Sequence, residues 1–321
     1  MSPSFLDNLK SLVGADNDAR KDIVDDDPDA NLTDEEDDDD EPSRVGSFIG
    51  HVLFKTPVPD MEALAARLPE FGFAVDTDVD NEDDEEDEDD SDGDSSFPPP
   101  LFFKNESDGL EAISFFAPMP PVPQDEVEYF ASRNYFWPDG EKAVGDHQSN
   151  LIVSVIGSDE DDPIDAALRF VMAVTAALQD ENAIGVYLNN VVYAREQFLH
   201  YVATALGGEG EDDEGEFPIR NLVWCSVEKV EDEEDKVIIR TYGCECFGHK
   251  NMEVRGVPAN NDAIFEQINM LTNVAAYVIT ENVDMQPGET FGYSETDKRQ
   301  IEAAQSLFDE EPVLLLETVT D

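Results

Sequence analysis

Three cysteines and the histidines near them are the residues whose types and spacing invite chemistry. Cys244-x-Cys246 is followed by His249, and Cys225 can supply a fourth donor, so the set has the ligand types of a tetrahedral soft-metal site. On a strand, Cys244 and Cys246 share one face, an arrangement that suits a metal and an apolar core equally. The paired Cys-x-x-Cys spacing usual in structural zinc sites is absent, so no metal ligand is assigned.

His147 precedes an apolar strand, where an imidazole can act as base or ligand. No nucleophile motif adjoins it, and His51, His200 and His249 are equally isolated, which favours structural histidines. The sequence has no Walker phosphate loop, Gly-x-Gly-x-x-Gly fingerprint or Gly-x-Ser-x-Gly elbow. No catalytic residue and no cofactor is therefore assigned, and catalysis stays open but without support. The aspartate runs can gather divalent cations weakly, yet they lack the glycine and closing glutamate of a dedicated calcium loop.

The elements that would position these residues are a mixture of strands and helices. Strands are expected over residues 47–56, 73–79, 100–104, 110–116, 151–156, 183–188, 221–229, 236–246, 252–256 and 312–319. Helices are expected over 59–68, 125–134, 163–178, 194–205 and 262–279, the last with Ile264, Ile268, Leu271, Ala275 and Val278 inward. Because strict βαβ alternation is absent, the expected class is α+β, with layered, mostly antiparallel sheets and packed helices; an arrangement in two similar halves is left open.

The organisation read from these elements is a first half over 44–140, with an acidic insertion at 80–94, and a second half over 141–321. Ahead of them, residues 15–43 are expected to form a disordered acidic linker, since they hold almost no large apolar residues to repay ordering. Residues 1–14 read as a short amphipathic helix, with Phe5, Leu6, Leu9, Leu12 and Val13 on one face and Ser2-Pro3 at its start. A helix this short is marginal alone in water, so its apolar face needs a surface, on this body or on a partner.

Charge sets the functional expectation. The 321 residues carry a formal charge of -58, from 77 acids and 19 bases. Five runs, 1–43, 76–94, 159–162, 209–216 and 231–235, hold 45 of the 77 acids, leaving a body of ordinary acidity. A halophilic surface would spread its acids more evenly. Nucleic acid and anionic membrane are poor direct partners for such a chain, whereas basic proteins are natural ones. No apolar stretch is long enough to span a bilayer, no secretory leader is recognisable, and three cysteines make no disulfide framework. The expected compartment is the cytoplasm.

Several segments resemble a bacterial family, number 4261 among the domains of unknown function. They are Ala117 to Val122 with Pro123, His147 through Gly157, Thr241-Tyr242-Gly243 with Phe247-Gly248, Met252-Glu253-Val254, Ala276-Tyr277-Val278, and Pro287 through Gly292. The resemblance spans residues 49–317 and implies a shared fold and a bacterial, cytoplasmic setting. It implies no activity and brings no catalytic residue.

The leading expectation is a non-catalytic acidic protein that neutralises or escorts a basic protein, most concretely an immunity-type antitoxin for a toxin or other bacterial effector. Its partner-binding residues are placed at Phe5, Leu6, Leu9 and Leu12 in the helix, and at Asp37, Asp38, Asp39, Asp84, Glu85 and Glu86 in the acid runs. Three alternatives stand beside it: an adaptor with a tethered N-terminal helix, a nucleic-acid mimic aimed at DNA-binding defence proteins, and a metal-dependent enzyme built around His147 or the Cys244–His249 region.

Overall fold

The computed structural model describes residues 45–76, 97–105, 112–158, 161–207, 215–230, 233–292 and 298–319. The expected N-terminal helix, the linker, most of the 76–94 run and the start of the strand expected over 110–116 lie outside the described residues. So do all ten assigned partner-binding residues.

Among the described residues, two sheets and seven helices make an α+β fold. The first sheet has seven strands: β1 (Ser47–Phe54), β2 (Phe73–Val75), β3 (Leu101–Asn105), β4 (Ile113–Met119), β5 (Ser149–Ile156), β6 (Ala183–Leu188) and β7 (Val191–Ala194), in the order β2-β3-β4-β5-β1-β6-β7. Every pairing in it is antiparallel.

The second sheet has six strands: β8 (Trp224–Val230), β9 (Glu233–Tyr242), β10 (Met252–Pro258), β11 (Thr290–Phe291), β12 (Arg299–Gln305) and β13 (Pro312–Thr318), in the order β11-β12-β13-β10-β9-β8. Only β10 and β13 run parallel, among the described pairings. The first sheet takes strands from both sides of residue 140, and the change of sheet falls between Ala194 and Trp224.

Each sheet is backed by one long helix. The first of the helices is α1 (Met61–Arg67), capped by Asp60, whose carboxylate accepts from the Ala63 amide at 2.9 Å. Next come α2 (Gln124–Ser132), α3 (Gly140–Val144) and α4 (Pro163–Ala177). α4 starts at a proline behind Asp162, which accepts from the Ile164 amide at 2.8 Å, and it is buried continuously from Ala166 to Ala177. A helix apolar on every side belongs inside, and α4 packs against β1, β5 and the neighbouring α5 (Arg195–Leu206).

After the one-turn α6 (Ile219–Leu222), α7 (Asn261–Thr280) packs on β8, β9 and β10. Ile264, Ile268, Leu271, Ala275 and Val278 are all buried there, as their spacing predicts. A single apolar cluster runs from α4 through to α7, while α2 and α3 close a smaller one on the opposite face of the first sheet, around Leu53, Val127, Val144 and Val192. Among the described residues no helix is long and apolar enough to cross a membrane.

Two local expectations are corrected. The strand expected over 236–246 ends at Tyr242, because Gly243 takes φ +110° and turns the chain into a 3-10 turn, Cys244–Phe247. Cys244 and Cys246 therefore do not share a strand face. Residues 219–222, at the start of the strand expected over 221–229, form α6 instead.

Candidate functional site

His147 is held as a structural staple. Its Nδ1 lies 2.9 Å from the Val144 carbonyl and its Nε2 lies 2.9 Å from the Val122 carbonyl, so the ring ties the end of α3 to the proline-rich connection ahead of α2. With both nitrogens facing backbone oxygens, neither is free to take a substrate proton or ligate a metal. The catalytic reading of His147 loses its geometric basis.

The cysteines sit at the other sheet. Cys225 lies on β8 under α7, with its sulfur 3.9 Å from Thr272 Oγ1, and burial pushes its thiol up to about 12. Cys244, in the turn after β9, donates towards Thr241 Oγ1 at 3.6 Å and is likewise pushed up to about 12 by burial. Both are neutral thiols at physiological pH, poor as nucleophiles. Cys246 is half-buried. Among the described residues no three His, Cys, Asp or Glu side chains are gathered to hold a metal ion. Titration of the native chain with a thiol reagent is expected to modify Cys246 quickly, with Cys225 and Cys244 following only on unfolding; simultaneous labelling of all three would contradict this burial.

What the second sheet does gather is a row of polar groups on the face away from α7. Strand pairing places Ser226, Arg240 and Glu253 side by side across β8, β9 and β10. Arg133, just past α2, donates to Ser226 Oγ at 2.9 Å and also to Glu228, and its guanidinium lies 5.4 Å over the Tyr129 ring. Arg240 is only 3% exposed; it donates to Asp309 and lies 4.6 Å over the Tyr242 ring. Glu253 is fully buried, accepting from Arg255 Nε at 2.6 Å and from Ser306 Oγ at 2.7 Å.

The Glu228 carboxyl is raised by its burial, an effect that Arg133 opposes and Asp309 reinforces. Each guanidinium in this row is committed to a carboxylate, as buried charges require. The row's physical work is to fasten the segment between β12 and β13, and the end of α2, onto the sheet. Sequence gave no hint of it, since Arg133 and Ser226 stand 93 residues apart.

A shallow cleft of about 110 Å³ opens beside this sheet, between the start of β10 and the chain beyond α7. Met252, Val278 and Leu314 floor it, and His249, Lys250 and Asp284 supply its polar rim. Burial lowers the His249 imidazole, with Asp284 pulling the other way. Ligand sites commonly enclose about 300–1,000 Å³, so this cleft accommodates a few atoms rather than a metabolite.

No curated protein and no solved structure matches the chain. The match that exists takes in β9 from Arg240, the Cys244–Phe247 turn, the cleft, α7, the Glu253–Ser306 pairing and nearly all of β13. Residues 240–317, most of the second sheet and its helix, thus match the model of a family described as a domain of unknown function, DUF4261.

Proposed function

We propose that this chain is a non-catalytic cytoplasmic binding protein that neutralises or escorts a basic protein, most concretely as an immunity-type antitoxin for a bacterial effector. The observation that supports the reading is where three of its acid runs join the described fold. The Gly46 carbonyl accepts from the Gly157 amide at 3.0 Å, and the Gly46 amide donates to the Cys246 carbonyl at 2.8 Å. Phe247, one residue on, has its ring 5.9 Å from that of Phe217. The chain therefore enters from the 1–43 run, passes into the 159–162 run and emerges from the 209–216 run at one end of the first sheet.

The described residues at which these three runs join the fold thus lie close together, and acids carried from there would add their fields on an approaching cationic surface. Steering of this kind raises association rates by about tenfold or more and weakens as salt screens it. Asp37, Asp38 and Asp39 belong to the first of these runs, while Asp84, Glu85 and Glu86 belong to the run that leaves β2.

The test is capture of partners by the immobilised full chain at low and at high salt, followed by stopped-flow association with the recovered protein. A basic partner that elutes with salt is expected. Neutralising the acids of 159–162 and 209–216 to amides should slow association about tenfold or more. Recovery of no basic protein, or an unchanged rate in the amide variant, would defeat the proposal.

A further inference from the structure

Among the described residues, part of one face of the first sheet has no element packed on it. Strand pairing sets Phe102, Phe115, Ser154 and Ile49 in a row across β3, β4, β5 and β1. One step towards the end of the sheet, Ile113, Ile156 and Ser47 form a second row, and one step inward Ala117, Ile152 and His51 form a third. Ile113, at the start of β4, is 57% exposed, and Ile49, inside β1, is 52% exposed. α2 and α3 cover only the Leu53 and Val192 side of this face, and α4 lies on the other face. Seven of these ten positions are apolar, interrupted by Ser154, Ser47 and His51, and a largely apolar field on a sheet marks a contact surface.

We infer that the apolar face of residues 2–13 docks on this field, so that Phe5, Leu6, Leu9 and Leu12 cover the chain's own sheet. Twelve helical residues make a rod about 18 Å long and about 10 Å wide. Three rows on four strands, with strands about 4.8 Å apart, present an area of about 14 Å by 14 Å, which such a rod covers. Where the chain begins its described course supports the same occupant. Val45 stands two residues before Ser47, in the outer row beside Ile156, so the N-terminal segment enters the fold at the border of the field.

The connection from Ala15 to Arg44 is 30 residues. Thirty residues suffice to bridge about 30 Å or more, enough to return residues 2–13 onto any part of the face. Tethering at that length holds the helix at an effective concentration in the millimolar range, which lets a contact too weak to persist between separate molecules persist here.

The four isoleucines of the field make the test direct. Methyl spectra of the full chain, labelled at isoleucine δ1, are compared with those of the full-length Leu9→Asp/Leu12→Asp variant, whose changes lie in the tail and leave the folded core intact. Signals of Ile49, Ile113, Ile152 and Ile156 are expected to shift, while those of Ile264 and Ile268, on the buried face of α7, stay in place. A synthetic peptide of residues 1–14, added to the variant, should return the four signals towards their original positions. Coincident spectra for the two chains would overturn the inference, as would a solution mass of two chains in which both spectra show the field covered by a second copy. Shifts confined to other isoleucines would overturn it equally, by placing the helix elsewhere.

Discussion

Gly243→Ala is expected to cost about 3–5 kcal/mol of stability, whereas Gly72→Ala is expected to cost about 1 kcal/mol. Both glycines have positive φ, +110° and +79° respectively, so each alanine carries a backbone penalty. Only Gly243 adds a collision. A Cβ there would stand 2.3 Å from the Leu222 carbonyl oxygen and 2.6 Å from Asn189 Nδ2, while at Gly72 nothing lies within 4 Å.

Neither obstacle yields easily. The Leu222 oxygen accepts from Asn189 Nδ2 at 2.5 Å, and Asn189 is itself fixed at positive φ in the turn from β6 to β7. Urea unfolding of the two variants measures the difference. Since a domain is commonly stable by about 5–15 kcal/mol, the Gly243 variant should unfold at a much lower midpoint and expose Cys244 to thiol reagents early. Equal midpoints for the two variants would show that the crossing of these three segments is not tightly packed.

The same position explains what the sequence made legible and what it did not. Long helices with one buried stripe announced themselves: α4 by the Asp162-Pro163 start and its unbroken apolar run, α7 by the 3.6-residue spacing from Ile264 to Val278. The period-two rule then carried the strand through Gly243 to Cys246, although Gly243 and Gly248, both at positive φ, bracket the turn and were visible as stop signals. The Asn189-Asn190 pair likewise marks a tight hairpin into β7, a strand absent from the expected elements.

β12 was a harder case. Its residues, Arg-Gln-Ile-Glu-Ala-Ala-Gln, favour a helix, and only full pairing along β13 makes them a strand. The candidate site was the least legible part. Ser226, Arg240 and Glu253 become neighbours through registers between three strands, and no local pattern encodes a register. The acids, by contrast, are conspicuous in the sequence, and the fold adds what the sequence lacks, the closeness of Gly46, Gly157 and Cys246 near the ends of the described segments.

Alkaline pH is expected to unfold this protein chiefly through its two buried thiols. Burial pushes the Cys225 and Cys244 thiols up to about 12 in the fold, from the ordinary thiol value of 9.0. Between those two values the unfolded chain gives up protons that the native chain keeps, so the native state binds more protons and stability falls as pH rises. The contribution is fully present below about 9 and is lost at about 1.4 kcal/mol per pH unit for each thiol.

Together the thiols make a slope of about 2.7 kcal/mol per unit, steep enough to exhaust ordinary domain stability within about three units. Tyr193, fully buried and raised by that burial, steepens the loss further above its ordinary range. Urea midpoints measured from neutral to strongly alkaline pH report this slope directly. The Cys225→Val/Cys244→Ala variant begins from a lower stability, because its packing is poorer, but its pH profile should flatten by about 2.7 kcal/mol per unit. A variant profile parallel to that of the parent would assign the alkaline transition to lysines and tyrosines instead, and would mean that the two thiols reach water in the native state.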